Sequence, residues 1–204
     1  CFPQFNQRGP LPKHGFARQA LWTLGDSHED GFELLLRDGP ATHSIWPERF
    51  ELRLRVSLAP QVMKLALTVH NPGTRAWPFM AALHTYLRTR DVTQVTLAGL
   101  SGTPCWDAVA DKRFVEDSAQ LHFGELAQQG FDRVFSVGSD GYEPKALTLQ
   151  HEHGHPRMWI TQSDTLNEAV VWNPGQTGTT KLADMTPDGW RQMLCVEAAR
   201  IDHP

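Results

Sequence analysis

An all-β fold, an antiparallel β-sandwich with short helical turns at most, is what this chain of 204 residues predicts. Three observations carry that reading. Apolar and polar residues alternate along many short runs, and Gly, Pro, Asn or Asp separates most of them. No window of about 12 or more residues keeps apolar side chains at i, i+3, i+4 and i+7 without a Gly or Pro break. Alternation puts successive side chains on opposite faces of a strand, so each run can bury one face and wet the other.

The first run is Phe32–Arg37. Phe50-Glu51-Leu52-Arg53-Leu54-Arg55-Val56-Ser57-Leu58 then alternates almost without a break, as a half-buried strand does. After the turn-prone Ala59-Pro60-Gln61, Met63, Leu65, Leu67 and Val69 point one way and Lys64, Ala66 and Thr68 the other, until Asn71-Pro72-Gly73 ends the run. These two strands form a hairpin. Further strands are expected at Pro78–Arg88, Val92–Leu97, Arg133–Val137, Ala146–His151, Arg157–Gln162, Glu168–Trp172 and Arg191–Ala198. No repeat, low-complexity tract or linker divides the sequence, so one domain over residues 1–204 is expected.

Hydrophobic residues at 40% and charged residues at 21% suit a soluble globular chain rather than a disordered one. No apolar run approaches the roughly 20 residues of a spanning helix, which argues against a membrane protein. A formal net charge of -4 offers no basic field for a nucleic-acid backbone, but leaves room for a small anionic ligand held by a few cations. Cys1, Cys105 and Cys195 are odd in number and widely spaced, as expected of free thiols in a reducing compartment, and the cytoplasm follows. The first residue is Cys rather than Met, with no leader visible, so the chain is expected to be a piece of a longer protein.

Several segments could carry chemistry. In Leu11-Pro12-Lys13-His14-Gly15-Phe16-Ala17-Arg18, Arg18 offers a planar fork for oxyanions or vicinal hydroxyls and His14 a donor or acceptor; alternatively Pro12 and Gly15 shape a surface turn with solvated cations. His84, in Leu83-His84-Thr85-Tyr86, is either a packed strand residue or a proton donor near neutral pH. Glu197 stands in the largely apolar Leu194-Cys195-Val196-Glu197-Ala198, so its carboxylate must face solvent, find a partner or line a site. Asp132 poses the same question, with an ion pair to Arg133 or a turn cap as the alternative. His151, His153 and His155 alternate as zinc ligands on a strand would, although Gly154 and Pro156 suggest a turn that splays them; no metal is expected, and the cysteines are too scattered along the sequence to add ligands.

Together these segments resemble the glucose-6-phosphate 1-epimerase family, the hexose-6-phosphate mutarotases, within the galactose-mutarotase-like superfamily. The resemblance rests on Cys1-Phe2-Pro3-Gln4-Phe5, the Leu11–Arg18 segment, Leu83-His84-Thr85-Tyr86, Phe131-Asp132-Arg133, Val171-Trp172-Asn173-Pro174 and Leu194-Cys195-Val196-Glu197, in the family's order and at about its spacing. It implies a sandwich of the galactose mutarotase-like type lacking its N-terminal strands. It also implies an isomerase without a cofactor, a small sugar phosphate as ligand, and a monomer for the full-length protein. His84 and Glu197 align with the catalytic histidine and glutamate, and Lys13, His14, Arg18 and Asp132 with positions that contact substrate. Lys13 departs from the usual Gln there.

Anomer exchange requires the C1 hydroxyl to lose a proton while the ring oxygen gains one, so the resemblance makes Glu197 the base and protonated His84 the acid, expected on opposite sides of the reacting centre. The rival expectations are an aldose 1-epimerase acting on free sugars, a non-catalytic carbohydrate-binding module, and a zinc protein built on the His151 cluster.

Overall fold

A computed structural model describes residues 1–138, 146–151 and 157–202. Its strands form three sheets, mostly antiparallel, with only short helices between them among the described residues. This is the β-fold expected from the alternation. The chain divides into two compact units, Cys1–Ala81 and Ala82–His203.

The first unit is a meander of four strands in chain order, β1 (Thr23–His28), β2 (Gly31–Arg37), β3 (Glu51–Ala59) and β4 (Val62–His70), with a one-turn helix α1 (Pro40–His43) between β2 and β3. The expected hairpin is β3–β4: Ala59 pairs with Val62, and Gln61 takes a positive φ of 61° to close the turn. Its inward face is buried at one end only. Phe50 and Leu52 are fully enclosed with Phe2, Phe16 and Leu36, and Trp46, Trp77 and Phe79 pack against them. Leu58, Val62 and Met63 at the turn end are exposed.

The second unit is a sandwich. One sheet has the order β10-β7-β12-β13, from β7 (Val95–Ala98), β10 (Gln120–His122), β12 (Leu147–His151) and β13 (Arg157–Ile160). The other has the order β5-β15-β14-β11-β8-β9 with β6 also on β15, from β5 (Ala81–Leu83), β6 (Tyr86–Arg88), β8 (Pro104–Asp107), β9 (Lys112–Val115), β11 (Phe131–Ser136), β14 (Glu168–Asn173) and β15 (Met193–Arg200). Between them, Val95, Leu97, Leu121, Leu147 and Leu149 of the first sheet meet Phe131, Phe135, Ala169, Val171, Leu194 and Val196 of the second in one core. Alternation in each strand supplies that inner face.

Several expected strands are shorter in the structure or begin later. Pro78–Arg88 breaks into β5 and β6 around His84-Thr85, and Val92–Leu97 begins with a 3-10 turn at Val92–Gln94 because the Asp91 carboxylate accepts from Thr93 N and caps it. Two further helices, α2 (Gly124–Gln129) and α3 (Gly175–Thr179), are short connectors. Asn173 pins the turn before α3: its Nδ2 donates to the carbonyls of Trp190 and Met193, both at 2.8 Å, and its Oδ1 accepts from Gly175 N.

Candidate active site

The chemistry-bearing residues of the second unit follow from strand periodicity. In β11, β14 and β15 the core takes Phe131, Phe135, Ala169, Val171, Leu194 and Val196. Their neighbours Asp132, Val170, Trp172, Cys195 and Glu197 therefore occupy the other face of the sheet. Register aligns them in rows: Asp132 stands opposite Trp172, Trp172 opposite Cys195, and Cys195 opposite Tyr86, while Val170 stands opposite Glu197 one step along. Residues directly opposite in an antiparallel pair point the same way. One row thus carries Asp132, Trp172, Cys195 and Tyr86, with Glu197 beside it.

His84 joins this face from the break between β5 and β6. Thr85 N donates to Leu83 O at 2.8 Å, a tight turn centred on His84, and Val196 N donates to Thr85 O at 3.3 Å, which ties the turn to β15. The imidazole stacks on Tyr86 with ring centroids 5.0 Å apart and meets the edge of Trp172 at 5.7 Å. Its Nδ1 lies 3.3 Å from Glu197 Oε1. The His84 side chain is 27% exposed and that of Glu197 only 1%, so the imidazole is the outer member of the pair.

Burial raises the pKa of the Glu197 carboxyl to about 8, and the charge of Asp132 pushes in the same direction. Its Oε2 is buried with no hydrogen-bond partner among the described residues. A carboxyl so placed exchanges a proton close to neutral pH, which is what an acid/base group needs. Cys195 Sγ, a His84 ring nitrogen and a Glu197 oxygen all lie within 4.8 Å of one another, so the cysteine that looked isolated in the sequence is beside the pair.

His84 and Glu197 stand side by side because β6 pairs with β15 and draws the His84 turn against the strand that bears Glu197. Arg133 bonds to Asp107 at 3.0 Å and Glu116 at 3.3 Å and lies over the rings of Phe131 and Phe114. Adjacent strand residues point to opposite faces, so this network holds β11 to β8 and leaves Asp132 on the face of Glu197.

The sequence model of the family described as aldose 1-epimerase matches residues 1–204, the whole chain. The chain belongs to the aldose 1-epimerase family. Among curated proteins, one named "Putative glucose-6-phosphate 1-epimerase" from Cenchrus ciliaris is 30% identical over 100% of this chain and 63% of its own length. A protein of the same name from Escherichia coli is 30% identical over 98% of this chain and 65% of its own. A crystal structure described as "a putative mutarotase" from Salmonella typhimurium superposes with a TM-score of 0.83 at 26% identity, covering 100% of this chain and 66% of that one. The chain thus spans a little under two thirds of the curated relatives it matches. A galactose mutarotase related enzyme from Lactobacillus acidophilus, at 15% identity and a TM-score of 0.78, shares the fold. The sandwich of this aldose 1-epimerase family member is therefore of the galactose mutarotase-like type.

Of its six residues singled out from sequence, the structure brings His84 and Glu197 into contact, and strand alternation puts Asp132 on the same face. Lys13, His14 and Arg18 stand in the first unit, where the Cys1–Phe5 motif builds their loop. Phe2 O accepts from Phe16 N and Ala17 N, Gln4 brackets Leu11 through both ends of its amide, and His14 N donates to Asn6 O. Gly15, with φ of 68°, passes so close to Phe2 that a Cβ there would lie 2.1 Å from its carbonyl oxygen. His14 Nδ1 accepts from Asn6 N at 3.2 Å, which places the proton of the neutral ring on Nε2. Lys13 and Arg18 are exposed.

Tyr86 and Trp172 had no role in the sequence reading, although both fall inside its motifs. Only the register shows that they frame His84. His151 ends β12, while His153 and His155 lie outside the described residues. No helix among the described residues is long and apolar enough to cross a membrane. None of the three cysteines is in a disulfide.

Proposed function

We propose that this chain is part of a hexose-6-phosphate mutarotase, with glucose 6-phosphate as the reference substrate and Glu197 and His84 as its base and acid. The carrying observation is their 3.3 Å contact on a sheet face shared with Asp132, one partner buried and the other reachable. The C1 hydroxyl and the ring oxygen are both bonded to C1, so two groups side by side can serve them. Glu197 takes the hydroxyl proton as C1 becomes a carbonyl carbon, the bond from C1 to the ring oxygen breaks, and protonated His84 delivers its proton to that oxygen. Rotation about C1–C2 and reclosure with the roles exchanged give the other anomer and restore both side chains. Each positioned transfer contributes about 10²–10⁴-fold.

The rings of Tyr86 and Trp172 hold the imidazole in orientation, and Asp132 is assigned to sugar hydroxyls. Within the first unit, Arg18 and Lys13 are exposed cations of the kind that hold a phosphate through charge-assisted hydrogen bonds, and the Nε2 proton of His14 is a donor of the kind that meets a sugar oxygen. Cysteines outside any disulfide fit a cytoplasmic enzyme. The family described as aldose 1-epimerase gives weight to a second reading, the same reaction on free sugars.

The test is the relaxation of α-glucose 6-phosphate to anomeric equilibrium, followed by NMR, with this chain and with one extended at its N-terminus. Acceleration by the extended chain, stronger for the phosphate than for glucose, supports the proposal; equal or greater acceleration of glucose favours the second reading. No acceleration by either folded chain refutes the proposal and favours the non-catalytic carbohydrate-binding module.

A further inference from the structure

We infer that the triangle of His84, Cys195 and Glu197 is a binding site for a thiophilic divalent cation of the zinc type. The inference that its occupancy would block mutarotation rests on the function proposed above; binding itself does not.

Three observations carry it. The donor atoms, one imidazole nitrogen, one thiol sulfur and one carboxylate oxygen, lie within 4.8 Å of one another. Ligands held at about 2.0–2.3 Å around a tetrahedral zinc ion stand roughly 3.3–3.8 Å apart, so the His84 to Glu197 separation of 3.3 Å fits already and the sulfur has at most about an ångström to close. The set is fixed by the sheet rather than by a loop: Cys195 and Glu197 are two apart on β15, hence on one face, and the His84 turn is bonded to Val196 between them.

The second observation is charge. Two anionic ligands and a neutral imidazole match a divalent cation, giving a buried site with no net charge, whereas either anion alone there is costly. Third, Glu197 Oε2 is fully enclosed without a hydrogen-bond partner among the described residues, and a cation would supply one. The partly exposed imidazole is the side of entry, and three protein ligands leave a fourth position for water or a sugar oxygen. Such an ion would hold both proton-transfer groups at once, so bound metal and mutarotation exclude each other.

The experiment uses the full chain and cobalt(II) as a spectroscopic stand-in for zinc. Wild-type protein should bind one equivalent with a thiolate-to-cobalt charge-transfer band, and zinc should displace it. Cys195→Ala should lose the band and His84→Ala should weaken zinc affinity by more than about tenfold, the least that losing even an outer-shell partner costs such sites. Circular dichroism checks that each variant is folded, and His84→Ala, at the exposed corner, keeps the test alive if Cys195→Ala does not fold. Affinity unchanged in the folded variants, or lost only when His151, His153 and His155 are all replaced by Ala, overturns the site. If the band forms and zinc leaves the mutarotation of an active extended chain untouched, the site stands and the catalytic assignment of His84 and Glu197 falls.

Discussion

Replacing Glu197 with Gln should make the protein more stable and catalytically dead, and the two effects have one cause. The carboxyl is 1% exposed and burial raises its pKa from 4.5 to about 8. Between those values the unfolded chain releases its proton while the folded one keeps it, so native stability falls as pH rises. At about 1.4 kcal/mol for each pH unit, the loss accumulates to roughly 5 kcal/mol by pH 8 and then levels off as the folded state ionises as well. That is a large share of the 5–15 kcal/mol that typically holds a domain together. Gln has the shape of the protonated acid and no proton to lose. Urea denaturation across this pH range, with a chelator present, should show the wild-type curve falling away from that of Glu197→Gln by several kcal/mol from acid to pH 8. Parallel curves would refute the argument that burial holds the proton on Glu197. In an active extended chain ionised Glu197 and protonated His84 must coexist, so wild-type turnover should be bell-shaped against pH, and Glu197→Gln should abolish it at every pH.

Three further outcomes follow from particular contacts. His84→Asn in the extended chain should lower turnover by about 10²–10⁴-fold while leaving the urea midpoint little changed, since the residue is partly exposed; unchanged turnover removes the acid assignment. Asn173→Ala should cost about 3 kcal/mol, because it strands two buried carbonyls and the Gly175 amide, and a thermal melt reads it directly. Gly15→Ala should destabilise by at least about 1–3 kcal/mol through the positive φ and the clash with Phe2 O, and a loss below that range would show that the Cys1–Phe5 and Leu11–Arg18 segments are not locked together as described.

The alternation was enough to find most strands, and the residues it missed show what alternation measures. β1 reads Thr-Leu-Gly-Asp-Ser-His, with mostly exposed side chains and a register shift between Leu24 and Ser27, so no apolar face marked it. β8, β9 and β10 have three or four residues, too few for a period to declare itself, and β9 is exposed throughout. Conversely, Pro78–Arg88 read as one strand because its apolar content is continuous; the turn at His84 is set by a bond between backbone groups that no side chain announces.

The same distinction explains what was legible in the site. Alternation along β15 already says that Cys195 and Glu197 share a face opposite Leu194 and Val196, and the enclosed apolar run already makes Glu197 conspicuous. Which residues stand across from them depends on register, and register is a property of strand pairs far apart in sequence. Tyr86 and Cys195 are partners because β6 returns to the edge of β15 after more than a hundred residues, and Trp172 becomes the neighbour of His84 only through that pairing. The scattered spacing of the cysteines was therefore evidence against a disulfide framework but no evidence against a ligand set. A sheet gathers donors by row, so a cysteine that is alone in sequence can stand beside a histidine and a glutamate in one buried triangle.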